Sequence, residues 1–225
     1  GAGYYEEFRP EDALSKYNLP PVIIGTDTIT KTDLVRRRWL DNYFYGTTFS
    51  FNYNPSQALK LTWGGAVNQY KGDHYGEVIW AKYASTSNLG DKYYLNDATK
   101  NDISTFLKAD FTLDNWLLFA DVQYRNIFYK VKGDDDKIKG MDFERTFNFV
   151  NPKVGFTYLI SEHANWYASY AYASKEPVRN DFVDIKGNNP KPEKMQDIEL
   201  GYRFRNDAFN IGTNFYGMFY KDQPI

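Results

Sequence analysis

Residues 43–69 read YFYGTTFSFNYNPSQALKLTWGGAVNQ. On the first arm Tyr43, Tyr45, Thr47, Phe49, Phe51 and Tyr53 take every second position. Asn54-Pro55-Ser56 then supplies turn chemistry. On the second arm Leu59, Leu61, Trp63, Gly65 and Val67 alternate again. A period of two on both sides of a turn predicts a long antiparallel hairpin with one apolar and one polar face. The expected pairs are Phe51 with Leu61, Phe49 with Trp63 and Tyr45 with Val67.

The same unit recurs three times. Residues 103–128 turn at Asp114-Asn115 and place Ile103, Thr105, Leu107, Phe111, Leu118, Val122 and Tyr124 on one face. The other face carries Ser104, Lys108, Asp110, Asp121, Gln123 and Arg125. A two-residue turn would set Lys108 opposite Asp121 and Ser104 opposite Arg125. Leu117 and Phe119 break that polar face, which implies contact with something outside the chain. Residues 151–172 turn at 161–165, with Val154, Phe156, Tyr158 and Ile160 facing Trp166, Ala168, Tyr170 and Tyr172. Residues 195–220 turn at 205–208. There Ile198, Leu200, Tyr202 and Phe204 share a face with Phe209, Ile211, Thr213 and Phe215; Asp197, Glu199, Arg203, Asn210 and Asn214 lie opposite.

The rest of the chain reads as connections. Residues 1–8 resemble the tail of a strand. Residues 9–38 read as irregular, with a short helix over 11–17. Within them Arg36-Arg37-Arg38 reads either as an anion site or as a solvated loop end. A long connection over 70–102 holds His74, Tyr75, Trp80, Tyr83, Tyr93 and Tyr94. Another over 129–148 holds Asp134-Asp135-Asp136, which does not fit a calcium loop and reads as a solvated acidic loop. A third covers 173–194.

Of the 225 residues 19% are aromatic, and the net charge of −2 offers no basic surface for nucleic acid. There is no Cys, so disulfides and thiolate metal sites are excluded. No apolar run reaches the roughly eighteen residues of a membrane helix, and mean hydropathy is −0.64. A membrane barrel remains compatible, since its strands show lipid only half their residues. The opening Gly1-Ala2-Gly3 is not a signal peptide, and a mature or truncated chain is expected. His74 and His163 stand in no metal-ligand spacing, and no phosphate loop or nucleophile elbow occurs. No catalytic residue, metal site or cofactor is expected.

Alternation alone does not separate lipid from a protein core. Three features favour lipid. The strands are long enough to cross a bilayer at a tilt, short and long connections alternate, and aromatic rings cluster near strand ends. The expected fold is all-β: an antiparallel transmembrane β-barrel segment of about eight to nine strands, with short periplasmic turns and long extracellular loops. The strand directions imply a piece of a larger barrel with open edges.

Residues 165–184, NWYASYAYASKEPVRNDFVD, 190–204, PKPEKMQDIELGYRF, and 37–53, RRWLDNYFYGTTFSFNY, together resemble the barrel of TonB-dependent outer-membrane receptors. The resemblance implies a barrel of about twenty-two strands with a plugged lumen. Residues 1–225 would be part of that barrel domain, with 1–35 a strand end and extracellular loop and 36–220 the four hairpins. The plug, the TonB-engaging box and the closing strands would lie outside the chain. Proline at 224 marks the end of the last strand pattern. The implied partners are outer-membrane lipid, the plug, the TonB complex and a small-molecule or metal-chelate cargo such as a ferric siderophore, haem or cobalamin. Lys108, Asp121, Gln123, Arg125, Glu199, Arg203 and Asn214 would then face the lumen and hold the plug. His74, Tyr75, Trp80, Tyr83, Tyr93 and Tyr94 would contact ligand or pack loop against loop. Two other classes compete: a soluble β-rich carbohydrate- or ligand-binding module, whose aromatic face would be a buried core, and a passive porin without a plug.

Overall fold

The computed structural model describes residues 1–83, 86, 88–136, 138–178, 181–182 and 190–223. Among them the strands are β1 Ala2–Ala13, β2 Val22–Ile24, β3 Asp27–Ile29, β4 Lys31–Tyr53, β5 Leu59–Ala81 and β6 Lys92–Leu113. They continue with β7 Trp116–Gly133, β8 Met141–Leu159, β9 Ala164–Lys175, β10 Glu193–Arg205 and β11 Asn210–Lys221. One sheet has the order β1-β4-β5-β6-β7-β8-β9-β10-β11, and β2 pairs with β3 as a small separate hairpin. Apart from that insertion, each strand lies beside its neighbour in sequence, and β1 and β11 are the ends of the order.

Turn chemistry closes the short ends. Ser56 Oγ accepts the Leu59 N–H at 3.1 Å. Asp114 takes a left-handed φ of 48°, which a short polar side chain tolerates. Asn206 Oδ1 accepts the N–H groups of Ala208 and Phe209 at 2.9 and 2.8 Å, an Asx turn. The register beyond these turns brings the alternate apolar residues together. Leu200 pairs with Phe215, Tyr202 with Thr213 and Phe204 with Ile211; Val154 pairs with Tyr170 and Tyr158 with Trp166. On the first hairpin Trp63 meets its expected partner Phe49 and a second ring beside it. Trp63 stacks on Phe51 at 5.6 Å and meets Phe49 edge-on at 5.3 Å. The Tyr45 hydroxyl donates to Gln69 Oε1.

The strands extend beyond the expected hairpins, and the connections shrink accordingly. His74, Tyr75 and Trp80 lie in β5, and Tyr93 and Tyr94 in β6; the connection over 70–102 is reduced to 82–91. That over 129–148 becomes 134–140. The irregular stretch over 9–38 instead holds the end of β1, a 3-10 helix Leu14–Tyr17, the β2–β3 hairpin and the start of β4. The physical cause is cross-strand charge. Glu6 pairs with Arg37 and Glu7 with Arg36 along β1 and β4, so charged residues that read as a loop are satisfied within a ladder. Arg36-Arg37-Arg38 is therefore not a solvated loop end. The proline at 224 lies outside the described residues.

The chain divides into two compact units. Unit 1 comprises Gly1–Tyr45, Asn68–Asn101 and Phe128–Arg145, the loop-side parts of the strands. It has an interior: Leu14, Tyr17, Leu19, Leu34, Tyr93 and Tyr94 form one buried cluster. Tyr93 meets Tyr17 and Tyr94 edge-on at 4.8 and 5.0 Å.

Unit 2 comprises Gly46–Val67, Asp102–Ile127 and Thr146–Ile225, which hold the short turns and the whole of β9, β10 and β11. Its apolar face stands open: Trp63 is 52% exposed, Leu107 49% and Phe215 69%. A soluble module requires that face to be its core, and the structure does not bury it. The opposite face packs aromatic rings onto glycines. A Cβ on Gly155 would fall 2.8 Å from the Phe119 Cζ, and one on Gly64 would fall 2.7 Å from the Phe106 ring. Phe119 thus has a partner inside the chain, contrary to expectation, because Gly155 leaves it room.

Candidate functional site

The residues expected on the inner wall share the face of unit 2 opposite the apolar one, as alternation along a strand requires. Gln123 Oε1 accepts from Asn151 Nδ2 at 3.1 Å. Arg203 lies 4.4 Å from the centroid of the Tyr167 ring, and that ring covers Gly201. Asn214 donates to Glu199 at 3.5 Å. Lys108 does not reach across to Asp121; it pairs with Asp110 on its own strand at 2.9 Å. Arg125 also departs from the expected pairing with Ser104. Its guanidinium forks between Asp102 and Glu176, the latter at 3.2 Å. Glu176 lies in the Lys-Glu-Pro segment just after β9 and is 9% exposed, so Arg125 ties that segment to the wall.

The six loop-side candidates are not gathered at one point. His74 Nε2 lies 3.5 Å from the Tyr70 hydroxyl. Tyr75 stacks on Trp39 at 5.8 Å, with Lys92 Nζ 3.8 Å from its centroid. Successive residues of one strand, His74 and Tyr75 belong to opposite faces. Trp80 is half exposed, and the Tyr83 N–H donates to Thr32 Oγ1 at 3.0 Å. Tyr93 and Tyr94 lie in the buried cluster of unit 1, where burial pushes both phenols above their ordinary pKa. The Arg38 Nε–H donated to Tyr94 at 3.0 Å opposes that rise.

The most organised polar constellation in unit 1 is one that sequence pattern did not assemble. Arg36 donates from Nε and Nη2 to Glu7 at 2.9 and 2.7 Å, and from Nη1 to Asp136 at 3.2 Å. The hydrogen bond from Arg36, then that from Arg9, holds the Glu7 carboxyl below its ordinary pKa against burial. Asp136 also lies 3.9 Å from Arg38. The acidic connection is thus docked on the arginine strand rather than solvated. Its Asp134 Oδ1 also accepts the Gly140 N–H at 2.7 Å.

Asp12, 7% exposed, is surrounded by donors: Lys16 at 2.6 Å, Tyr17 at 2.8 Å, Arg9 at 3.2 Å and the Ala13 N–H at 3.0 Å. Burial would raise its pKa, but these donors outweigh it and hold the carboxyl well below the usual range. Between these groups is a cavity of about 400 Å³, walled by Arg9, Lys16, Arg36 and Lys139 with Asp12 and Asp136. The available signals were the cation run at 36–38 and the acid run at 134–136. Their separation along the chain hid the pairing.

The face of unit 2 opposite the apolar one is a polar surface and the cavity of unit 1 an ionic one; among the described residues no group of acids and histidines could hold a metal ion. The family model described as TonB dependent receptor-like, beta-barrel matches residues 1–225. No curated protein matches the sequence. Among similar solved structures, the copper transporter OprC has 14% identity and a TM-score of 0.62, with 81% of this chain and 30% of that chain covered. The unliganded ferric citrate transporter FecA has 14% identity and a TM-score of 0.63, with 97% and 31% covered. The FrpB iron transporter of Neisseria meningitidis, F3-3 variant, has 16% identity and a TM-score of 0.58, with 99% and 32% covered. These likenesses concern the fold, and the chain spans under a third of the length of these relatives. With a family match over its whole length and a sheet that is apolar on one face and polar on the other, the chain belongs to the TonB-dependent receptor β-barrel family of the outer membrane, a family of receptors and not of enzymes.

Proposed function

We propose that the chain is part of the barrel domain of an active-transport receptor, which binds a scarce nutrient outside the cell and imports it with energy supplied through TonB. The plug, the TonB-engaging box and the closing strands belong to other parts of the protein in this reading. The observation that carries it is the inner wall of unit 2. Polar and charged groups there, including Gln123, Arg125, Glu199, Arg203 and Asn214, share the face opposite the lipid-facing one. A polar wall needs water or a polar partner, and a plug domain supplies one. The similar structures are described as copper, ferric citrate and iron transporters. That supports a metal or metal-chelate cargo, with ferric siderophores, haem and cobalamin as the class to screen.

The test is uptake of radiolabelled chelates by cells with and without the gene, each with an intact or a disrupted TonB system. Uptake that needs both the gene and TonB supports the reading; passive, TonB-independent flux would favour a porin. Within this reading Trp80 and Tyr83 are the loop-side aromatics left for cargo contact. Replacing both with Ala is expected to reduce uptake about tenfold, with about 1–3 kcal/mol lost in contact. Receptor abundance in the outer membrane should stay unchanged. Full uptake by the double variant would remove those two residues from the site.

A further inference from the structure

The cavity of unit 1 has an asymmetry of charge and of attachment. Four cations line it against two carboxylates. Asp12 has its acceptor sites taken by Lys16, Tyr17, Arg9 and the Ala13 N–H. Glu7, behind the wall, takes two hydrogen bonds from Arg36 and one from Arg9. Asp136 is held less firmly, by one Arg36 nitrogen at 3.2 Å and by Arg38 at 3.9 Å. Two of the cations keep donors available. Lys16 has a 59% exposed side chain and uses one bond to Asp12. Lys139, 51% exposed, is held by the Tyr93 carbonyl at 3.0 Å and lies 3.7 Å from Asp134. An ammonium carries three donors. Ser15 adds a hydroxyl to the same wall.

We propose that this cavity binds a small polyvalent anion through carboxylate or phosphate oxygens, with Lys16, Lys139 and Arg9 as donors and Asp136 as the internal carboxylate that the anion displaces from Arg36. The inference deepens the transport reading and rests on it for its meaning: the cargo, or the part of it bound here, is anionic. Two exposed lysines suit a site that fills and empties, because they are mobile point charges. Arg36, only 12% exposed and fixed by Glu7, is the preorganised element. Displacing Asp136 would remove one attachment of the β7–β8 connection, which the Asp134 N–H, donated to the Leu95 carbonyl at 2.7 Å, and Asn96 Nδ2, donating to the Asp134 carbonyl at 2.8 Å, still hold in place.

The test uses the intact receptor in detergent at low salt, titrated in a calorimeter with inorganic phosphate and, separately, with tricarballylate. Binding by one probe and not the other names the acid group. The Lys16→Ala/Lys139→Ala variant is expected to bind about tenfold more weakly, equal to about 1.4 kcal/mol. Asp136→Asn is expected to bind about threefold or more tightly, since it removes the competitor. Both affinities should fall as salt is raised. If neither probe binds the intact receptor, or if the double-lysine variant binds as the parent does, the proposal is overturned. Should the lysine variant lose its fold, Asp136→Asn decides alone: unchanged or weaker binding refutes the displacement. TonB-dependent uptake is measured on the same variants in cells. Anion binding without such uptake would defeat the transport reading and leave the cavity standing; uptake without anion binding would do the reverse.

Discussion

Unit 1 and unit 2 share strands, yet they solve opposite solvent problems. Unit 1 builds a buried cluster, with Leu14 and Leu34 1% and 0% exposed, although Phe8, Leu40 and Phe44 on its strands stand open. It covers the cluster with the 3-10 helix and surrounds it with ion pairs. Unit 2 leaves Phe51, Leu107, Val154, Leu200 and Phe215 open on one face. In water such a face would be an aggregation site; in hydrocarbon it costs nothing, and only the backbone must be paired. The comparison teaches that one unit holds a buried cluster suited to water, while the other leaves a whole sheet face suited to lipid.

The largest expected effect breaks the comparison from the unit 1 side. Leu14→Ala empties a fully buried position and should cost about 2–5 kcal/mol in local stability. Limited proteolysis near Lys16 and hydrogen exchange over residues 10–34 should rise steeply, while insertion of the barrel into the membrane is retained. Unchanged protection would mean that the cluster around Leu14, Tyr17 and Tyr93 is not a true core.

The next effect tests unit 2. Leu107→Arg places a charge on the lipid face and should cost about 2–4 kcal/mol near the bilayer midplane. Ser104→Arg, on the opposite face of the same strand, should be tolerated within about 1 kcal/mol. Urea titration of the whole receptor refolded in phospholipid vesicles measures both. Equal costs would erase the distinction between the faces.

The electrostatics of unit 1 sharpen the comparison further. Asp12 has a folded pKa depressed below its ordinary 3.8. Its contribution is therefore fully present above about pH 4 and is lost as pH falls through that range toward the folded value. Acidification should open residues 9–19 to protease before the apolar face of unit 2 is affected. Asp12→Asn should flatten most of that dependence at a cost of about 1–2 kcal/mol at neutral pH. Glu7, also depressed by Arg36 and Arg9, should supply the remaining acid sensitivity. A variant with the parent's full pH profile would show that Asp12 does not hold the turn.

The two units also differ in how far sequence reveals them. Leu200, Tyr202 and Phe204 alternate cleanly, as do Ile211, Thr213 and Phe215, so their shared face was legible; the register was not, since a turn at 205–208 would set Phe204 opposite Phe209 and the sheet pairs it with Ile211. Lipid imposes a strict period because one whole face must be apolar. Around Tyr93, Tyr94 and Arg36 no such rule acts: both faces meet protein or water, so polar, aromatic and charged residues mix. Strands there looked like loops. That Gln123, Arg125, Glu199, Arg203 and Asn214 share the polar face was legible from alternation, but their partners were not. Arg125 reaches Asp102 and Glu176 because a long guanidinium spans diagonals and Glu176 directly follows the end of β9. The cavity was invisible for a related reason: Asp12, Arg36 and Asp136 are brought together only by tertiary pairing.

The smallest expected effect settles which neighbour a wall lysine chooses. Lys108 and Asp110 are 41% and 37% exposed at their side chains, so screening limits the pair to about 0.2–1 kcal/mol. Strand geometry would equally allow Lys108 to reach Asp121 across the hairpin. A double-mutant cycle separates the two, because each cycle isolates one coupling. Lys108→Ala with Asp110→Ala should show a coupling of about 0.5 kcal/mol. Lys108→Ala with Asp121→Ala should show none above error. The reverse result would put the lysine across the hairpin. It would then join the wall's cross-strand ladder, leaving Asp110 as the carboxylate free to meet a partner in the lumen.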